Sequence, residues 1–187
     1  DPQSYLGRGA STIYASQNEQ LQNLDASVYA EAISQVAERA ESKVILIGST
    51  RRGKELTGRL AQKLGAGCIT DVDALEVKEG DLFCTRNALG GATVSTQTII
   101  TEIQVISVMP GVGTAVESAE SGEVVDVDLT LKPSRIKVVD KTDKGQSSID
   151  IEGAEILVCV GKGLTSQDDL KMVEELTQVL GGMVACT

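Results

Sequence analysis

An apolar segment that leads directly into an amphipathic helix constrains the fold of this chain more than any other feature. The segment KVILIG (residues 43–48) lacks polar alternation, which is typical of a strand covered on both faces. In the residues that follow, Leu56, Leu60 and Leu64 recur on one helical face, and Gly65 is a natural stop. This strand–turn–helix unit predicts an α/β fold.

Strands and helices alternate at both ends of the chain. TIYA predicts a strand, and a helix capped by Asp25 or Ser27 follows it. Near the carboxyl end a strand, a helix that begins with a capping box of Ser166 and Asp169, and a last strand repeat the pattern. We therefore predict a Rossmann-like parallel sheet with helices on both faces.

The middle of the chain has a different pattern. Residues 81–140 are rich in Thr, Val and Ile, and VVDVDLTL alternates strictly between apolar and polar side chains. We predict antiparallel strands or hairpins there, followed by a polar loop at 141–150. A length of 187 residues suits one buried core. The sequence thus predicts a single α/β domain over 1–187, in which 1–80 and 151–187 form the parallel core.

Composition and charge exclude several classes of function. The net charge of −10 would repel a nucleic-acid backbone, and no apolar run approaches the ~20 residues that span a bilayer, so neither partner is expected. The chain contains no histidine, which excludes histidine-based catalysis and most zinc sites, and we expect no metal site. Cys68, Cys84, Cys159 and Cys186 include no C-x-x-C pair and are expected to be small buried side chains in a reducing compartment.

The turn after KVILIG has the spacing of a nucleotide-binding loop. Gly48, Gly53 and Lys54 reproduce G-x-x-x-x-G-K, but Glu55 replaces the hydroxyl residue that binds Mg²⁺. Asp140 is the nearest candidate for a Walker B acid, and it lies in the region predicted to be antiparallel. We therefore interpret the turn as a strand-to-helix connection in which Glu55, in the first helical turn, complements the helix dipole.

A weaker functional interpretation of the same turn remains open. The helix N-terminus could form a weak anion-binding site, the anion corner, with Gly48, Ser49, Thr50, Arg51 and Arg52. The alternative function is therefore a small adenine-nucleotide-binding α/β protein that uses residues 48–54.

Two other segments match functional patterns only in part. VGKGLTS is a G-x-G-x-x-S between a strand and a helix, but the third glycine of the dinucleotide fingerprint is replaced, so we interpret it as a tight turn into a capped helix. TRNALGGATVSTQTI contains Arg86 and the pair Gly90 and Gly91. A hairpin with a solvated arginine and a partner contact are both compatible with that segment.

Four segments together resemble the amino-terminal domain of the electron transfer flavoprotein alpha subunit. In chain order they are LIGSTRRGKELTGRLAQKLGAGCITDV, TRNALGGATVSTQTI, VMPGV and AEILVCVGKGLTSQDDLKMVEELTQVLGGMVA. The resemblance extends over almost the whole chain. Departures from the family pattern are Asn87, where proline is usual, and Val108 with Met109 before the Pro-Gly pair.

The resemblance implies a Rossmann-like domain related to the adenine nucleotide alpha hydrolases, in which the GSTRRGKE turn is not a nucleotide site. It implies that the complete protein carries FAD and forms a heterodimer with a beta subunit. That complex would carry electrons from flavin dehydrogenases to a redox partner, in the cytoplasm or, in a eukaryote, in the mitochondrial matrix. This domain would be a non-catalytic scaffold, and no FAD is expected on this chain alone.

The resemblance also implies which parts of the family pattern this chain lacks. The flavin-binding carboxy-terminal domain follows the segment that resembles GGMVACT and is expected to be absent here. An amino-terminal β-α-β unit is also expected to be absent, which should expose apolar sheet surface. Arg86, Gly90 and Gly91 are the expected beta-subunit contacts, and the isolated chain is expected to form a homodimer through residues 86–111.

Overall fold

The computed structural model describes residues 2–23, 25–114, 122–140, 151 and 154–186. The predicted loop at 141–150 lies outside these residues. The chain divides into two compact units, Asp1–Val138 and Val139–Thr187, and each is described by itself. This division differs from the single domain that the sequence predicts.

The two units contain three helices and nine strands among the described residues. The helices are α1 (Ala26–Arg39), α2 (Arg51–Leu64) and α3 (Gln167–Leu180). The strands are β1 (Thr12–Ala15), β2 (Val44–Gly48), β3 (Gly67–Lys78), β4 (Asp81–Ala88), β5 (Thr93–Thr98), β6 (Gln104–Val108), β7 (Glu123–Asp126), β8 (Leu157–Val160) and β9 (Met183–Cys186). Short 3-10 segments lie at Pro2–Arg8, Glu19–Leu21 and Leu89–Gly91.

A five-stranded mixed sheet forms the centre of the first unit, in the order β2-β6-β3-β4-β5. β2, β6 and the first half of β3 run parallel, whereas β3, β4 and β5 pair antiparallel. The predicted α/β class is confirmed. The prediction for β6 is wrong, because this strand belongs to the parallel centre rather than to an antiparallel segment. Val105 and Ile106 are both fully buried, one in the apolar cluster on each face, as a central strand requires.

β1 and β7 form a separate two-stranded sheet. The sequence predicts an antiparallel strand at VVDVDLTL, but Glu123–Asp126 runs parallel to β1. The predicted alternation continues beyond this strand, since Val127 is buried, Leu129 and Leu131 are half-buried, and the residues between them are exposed. Alternation therefore indicates the buried face correctly but does not specify the partner strand.

Both helices of the first unit pack on one face of the sheet. Ala30 of α1 and Leu60 of α2 meet Val105 of β6 in one apolar cluster, together with Ile45 and Ile47 of β2, while Ile106 belongs to the cluster on the other face. In the part of the chain that the structure describes, helices therefore cover one face of this sheet and not both as predicted.

The face opposite the helices is partly open at the edge strand β2. Because side chains alternate along a strand, Val44 and Leu46 point away from the helices, and they are 45% and 56% exposed. This face of β2 therefore presents exposed apolar side chains.

The capping geometry confirms the predicted helix ends. Asp25, rather than Ser27, is the N-cap of α1, and its side chain accepts the Ser27 amide. Gly65 ends α2 with a φ of 63°, which favours glycine. Ser166 and Asp169 form the predicted capping box of α3.

The second unit is a β8–α3–β9 arrangement with parallel strands. α3 buries Val173 and Thr177 and ends at Gly181. The sequence predicts that 151–187 completes a parallel core with 1–80. In the described part of the chain, β8 and β9 instead pair with each other alone, which is why the two units are separate.

The cysteines differ from the prediction. Cys84 is fully buried in β4, and burial raises the pKa of its thiol. Cys68, Cys159 and Cys186 are exposed, so the expectation of buried side chains is wrong for these three. Each lies in a strand in which the adjacent residue takes the inward-facing position.

Truncation of Leu60 should destabilise the first unit strongly. Leu60 is fully buried between α2 and the sheet, so Leu60→Ala leaves a cavity and should lower the free energy of unfolding by about 2–5 kcal/mol. Ile100→Ala is the control, because Ile100 is 96% exposed and its truncation should change that free energy by less than ~0.5 kcal/mol. Urea unfolding followed by circular dichroism measures both. Equal effects of the two substitutions would contradict this packing.

Candidate functional site

The turn between β2 and α2 is the candidate site that the sequence indicates. β2 ends at Gly48, and Thr50 caps α2 by accepting the Gly53 amide on its hydroxyl oxygen at 3.0 Å. The Gly48 carbonyl accepts the Thr50 amide at 2.8 Å. These polar groups of the turn are therefore already bonded within it.

Gly53 is required by packing. A Cβ at this position would lie 1.9 Å from the Gly48 carbonyl oxygen, so the first turn of α2 can approach the end of β2 only with glycine there. Gly58, in the same helix, has open space around the corresponding position. The second glycine of the loop-like spacing thus has a structural role that needs no phosphate.

Ser49 points into the protein. The residue is 5% exposed, and its hydroxyl donates to Asp71 Oδ1 at 2.8 Å and accepts from the Ser107 hydroxyl at 3.0 Å. Ser107 is fully buried and also accepts the Asp71 amide at 3.3 Å. These bonds join the end of β2 to β3 and β6 in one buried polar network.

The lysine of the loop-like spacing, Lys54, forms an ion pair within the chain. Lys54 Nζ lies 3.0 Å from Asp71 Oδ1, the same oxygen that accepts the Ser49 hydroxyl. A nucleotide-binding loop presents its lysine and a hydroxyl to phosphate and Mg²⁺. Here the lysine, and with it the hydroxyl of Ser49, binds a carboxylate of the same chain, and an incoming phosphate would meet the negative charge of Asp71.

Asp71 reaches this position through an irregular backbone. Its φ of 59° lies in the left-handed region, and the β3–β6 register shifts between Ile69 and Val72. This bulge accompanies the turn of the Asp71 side chain toward Lys54. Neither Asp71 nor Ser107 was identified from the sequence. The available signal is Asp71 itself, as the one charged residue in the segment GCITDV at the start of β3.

The surroundings of Asp71 keep it ionised. Burial alone would raise the pKa of its carboxyl, but the hydrogen bonds from Ser49 and Lys54 and the positive charges of Lys54 and Arg86 outweigh burial and hold the pKa below its ordinary value of 3.8. Arg86, expected from the sequence to contact a partner, therefore acts electrostatically on this network.

Glu55 does not complement the dipole of α2 as predicted. The first turn of this helix contains no acidic residue, and Glu55 lies just beyond it. Its carboxylate instead lies 3.2 Å from Arg59, one turn further along. Glu55 therefore does not replace the Mg²⁺-binding hydroxyl of a nucleotide-binding loop. Asp140, the candidate Walker B acid, lies in a segment without strand structure.

A cavity of about 410 Å³ opens beside the start of α2. Its lining is largely apolar, with Ile47 and Leu56 among the contributors and Arg52 as a charged member. Arg51 and Arg52 are exposed, whereas Ser49 faces the interior. The side chains of the predicted anion corner therefore do not converge on one point, and anion binding there stays a prediction.

The second candidate segment forms a hairpin of β4 and β5. Gly90 and Gly91 form its turn, with φ of 66° and 90°, and Arg86 lies half-buried in β4 opposite Ser95. β5 is an edge strand in the described part of the chain, and its sequence TVSTQT contains no charge and no proline. Proteins commonly block an edge strand with charged residues or proline, and because β5 has neither, its edge is suited to pairing with another strand.

The turn from β8 into α3 is held by carboxylate groups. The Ser166 hydroxyl oxygen accepts the Asp169 amide at 3.4 Å, and the Asp169 carboxylate accepts the amides of Thr165 and Ser166 at 3.3 and 3.2 Å. Asp168 adds a second negative charge in the first turn. A dinucleotide would place its diphosphate at such a helix start. The interpretation of this segment as a turn into a capped helix is confirmed.

Metal and membrane sites are not found among the described residues. No group of three or more metal-ligating side chains occurs in the described ranges. None of the helices within those ranges has the length and hydropathy needed to cross a bilayer.

The sheet order defines a Rossmann-like α/β domain. Its turn after β2 has the spacing of a phosphate-binding loop, but Ser49 and Lys54 of that turn bind Asp71 of the same chain. Residues 2–132 match the family described as "Electron transfer flavoprotein domain", and residues 150–187 match "Electron transfer flavoprotein FAD-binding domain". The chain belongs to the electron transfer flavoprotein family. The second match lies within the second unit, so residues 150–187 match the FAD-binding family pattern, whereas the resemblance leads us to expect residues 151–187 in the amino-terminal domain.

Curated relatives agree with this family. The putative electron transfer flavoprotein subunit YdiR of Escherichia coli is 30% identical over 99% of this chain and 60% of its own length. Electron transfer flavoprotein subunit alpha of Thermoanaerobacterium thermosaccharolyticum is 32% identical over 96% of this chain and 56% of its own length. Subunit LctC of the lactate dehydrogenase (NAD(+),ferredoxin) of Acetobacterium woodii is 30% identical over 97% of this chain and 45% of its own length. The chain thus spans about half the length of the curated relatives it matches.

The two glycines of α2 should respond oppositely to the same substitution. Gly53→Ala forces a Cβ against the Gly48 carbonyl and should lower the free energy of unfolding by about 1–3 kcal/mol. Gly58→Ala meets open space in a helix interior and should raise it by about 0.5–1 kcal/mol. Urea unfolding measures both, and a neutral Gly53→Ala would contradict the packing role.

The network at Asp71 should make stability depend on pH in the acid range. Because its pKa is lower in the folded than in the unfolded chain, the ionised carboxylate stabilises the fold above 3.8, and this contribution is lost as pH falls through the folded pKa. Asp71→Asn keeps the shape and tolerates a φ of 59°. It should therefore lower the free energy of unfolding by a constant amount between about pH 7 and 5, and by less below about pH 4.

Urea unfolding across that pH range measures the difference between the two chains. Glu102→Gln is the matched control, because the ion pair of Glu102 with Lys43 is largely exposed and should contribute little. A difference for Asp71→Asn that does not change with pH would show that the charge of Asp71 is not the stabilising feature.

Proposed function

We propose that this chain is part of the alpha-type subunit of an electron transfer flavoprotein, which accepts electrons from flavin dehydrogenases and delivers them to a redox partner. The observation that carries the proposal is the succession of two family matches, over residues 2–132 and then 150–187. Relatives named electron transfer flavoprotein subunit alpha, at 32% and 31% identity over 96% and 97% of the chain, support it.

In this proposal the first unit is a non-catalytic scaffold. The bonds of Lys54 and Ser49 to Asp71 use the side chains that a phosphate would need, which disfavours the alternative of a small adenine-nucleotide-binding protein. FAD supplies the electron-accepting chemistry of the complete protein. Since the Asp169 carboxylate already accepts the amides of Thr165 and Ser166, this proposal assigns the FAD diphosphate to other groups of the complete protein.

The proposed partner is a beta subunit, and the proposed docking surface is the hairpin of β4 and β5 with Arg86, Gly90 and Gly91. Among the described strands β5 pairs on one side only, with β4, so its other edge offers main-chain hydrogen bonds to an added strand. Leu89 and Val94 add apolar surface, at 81% and 69% exposure. Without the beta subunit, a second copy of the chain would pair at this edge and give a homodimer.

The thiol groups fit a reducing compartment. Cys68, Cys159 and Cys186 are free and exposed. Thiols of this kind persist where glutathione and thioredoxin keep them reduced, which supports a cytoplasmic location, or the mitochondrial matrix in a eukaryote.

A charge at the free edge of β5 should weaken the complex. The complete subunit is produced together with its beta subunit, and Val94→Lys should raise the dissociation constant at least roughly tenfold, because an edge lysine blocks strand pairing. Val77→Lys is the control, since Val77 is also exposed but lies at the opposite end of the antiparallel arm. Light scattering and titration measure assembly.

Two outcomes separate the parts of this proposal. A complex that tolerates Val94→Lys as well as Val77→Lys would contradict the docking surface alone. A complete complex that retains no flavin and is not reduced by a flavin dehydrogenase would contradict the carrier function.

A further inference from the structure

A row of basic side chains follows the side of α2 that adjoins α1. Arg52, Arg59 and Lys63 are separated by seven and four residues, so they lie on one side of the helix. The Lys63 ammonium group lies 2.7 Å from the Glu31 carboxylate of α1, and Arg52 lines a cavity together with Ala26, the first residue of α1. The row therefore runs along the groove between the two helices.

Two more basic side chains reach this row from the segment that follows β7. Lys132 and Arg135 line a cavity of about 330 Å³ together with Arg59 of α2. The Ser134 hydroxyl donates to the carboxylate of Asp25, the N-cap of α1, and this bond holds the segment against that helix. Basic groups from two segments that are distant in the sequence thus line one cavity. We refer to five residues together as the basic groove: Arg52, Arg59, Lys63, Lys132 and Arg135.

The carboxylates that line this cavity have partners of their own. Asp25 is 6% exposed and accepts the hydroxyl groups of Ser27 and Ser134. The hydrogen bond from Lys63, with the charges of Lys63 and Lys132, outweighs burial and holds the pKa of Glu31 below its ordinary value of 4.5. Both carboxylates are therefore ionised and bound at neutral pH. In the described part of the chain, neither of them forms an ion pair with Lys132 or an arginine of the groove.

The charge of the basic groove differs from that of the chain as a whole. The chain has a net charge of −10, from 17 Lys and Arg residues against 27 Asp and Glu residues. Five of the basic residues form the groove, whereas three acidic residues of the described ranges line it or pair with it, namely Asp25, Glu31 and Glu55. The groove is therefore a local positive patch on an acidic chain. A short acidic segment fits such a patch, whereas a long polyanion would extend onto the acidic surface around it.

The cavity also presents apolar surface. Val28, Pro133 and Ile136 contribute to its lining, and Ile136 is 67% exposed. An apolar side chain can fill such a space, and a phosphate backbone has none to offer. The exposed positions of α2 carry no apolar side chain, so this helix lacks the apolar face with which a basic helix lies in a membrane surface.

We propose that the basic groove binds an acidic segment of a partner protein, whose carboxylates pair with Arg59, Lys132 and Arg135 while an apolar side chain enters the cavity between them. Complementary charge of this kind orients a partner and accelerates its association. The groove belongs to the helical layer over β2 and β6, whereas the proposed beta-subunit surface is the edge of β5. The inference therefore does not rest on the proposed docking of a beta subunit.

Fluorescence anisotropy of a labelled acidic peptide, titrated with the intact chain, tests this proposal. The probe is the decapeptide EDLEEDLEED, and its uncharged counterpart is QNLQQNLQQN. The acidic peptide should bind with a dissociation constant below about 1 mM at low salt, and raising the salt to about 0.3 M should weaken binding at least roughly fivefold. The uncharged peptide should bind at least roughly tenfold more weakly, because it keeps the apolar side chains but loses the ion pairs.

Charge substitutions in the groove locate the binding. Lys132→Glu combined with Arg135→Glu should raise the dissociation constant at least roughly tenfold, because the new carboxylates repel the peptide. Lys132→Gln combined with Arg135→Gln removes the same charges without adding repulsion and should raise it about threefold. Lys43→Glu combined with Lys78→Glu is the matched control, since it changes the net charge equally at exposed positions outside the groove, and it should change binding less than about twofold.

Three results would overturn the proposal. Equal weakening by the two charge-reversed pairs of substitutions would show that the peptide responds to net charge and not to the groove. An acidic peptide that does not bind below about 1 mM would exclude this class of partner. Tighter binding of a single-stranded decanucleotide, or of vesicles with equal amounts of phosphatidylserine and phosphatidylcholine, would assign the groove to a different class of anion. Circular dichroism of each variant checks that it is folded, and the glutamine substitutions carry the test if the charge-reversed chain is not.

Discussion

The carboxylate of Asp71 is the interaction on which the first unit most depends. It accepts the Ser49 hydroxyl that follows β2 and binds the Lys54 ammonium group of α2, while the Asp71 amide donates to Ser107 in β6. One residue of β3 thus connects the neighbouring parallel strands and the start of a helix. A buried polar network is stable only when it is complete, because an unpaired member keeps the cost of its lost hydration. Ser49 and Ser107 are the buried members, so a turn of Asp71 toward a ligand would leave the Ser49 hydroxyl without its acceptor.

The same residue explains how a parallel sheet continues into an antiparallel arm. The bulge around Asp71 interrupts the pairing of β3 with β6, and from Val72 onward β3 pairs with β4. β3 has 12 residues, against 5 in β2 and 5 in β6, so its second half extends past the parallel strands. That half carries β4 and β5 outward. The polar network and the start of the antiparallel arm therefore lie at one local irregularity.

Local features of this fold could be predicted from the sequence, and long-range ones could not. Asp25 and the capping box at Ser166 are confirmed because a helix cap depends on residues within one turn. Alternation and apolar runs locate a strand and its buried face but not its neighbour, which explains the errors for β6 and β7. The position of the candidate turn follows from its spacing, whereas its chemistry depends on Asp71, which meets Ser49 and Ser107 across 22 and 36 positions of sequence.

The spacing of the candidate turn and its chemistry have separate causes. Gly53 is required because a Cβ there would lie 1.9 Å from the Gly48 carbonyl oxygen, so the second glycine of the spacing follows from packing of α2 on the end of β2. The Ser49 hydroxyl and the Lys54 ammonium group both bind Asp71 Oδ1, so the charge that this turn meets is a carboxylate of the same chain. A loop-like spacing thus marks a close strand-to-helix approach, and the residue that the neighbouring strand places beside it decides what the turn can bind.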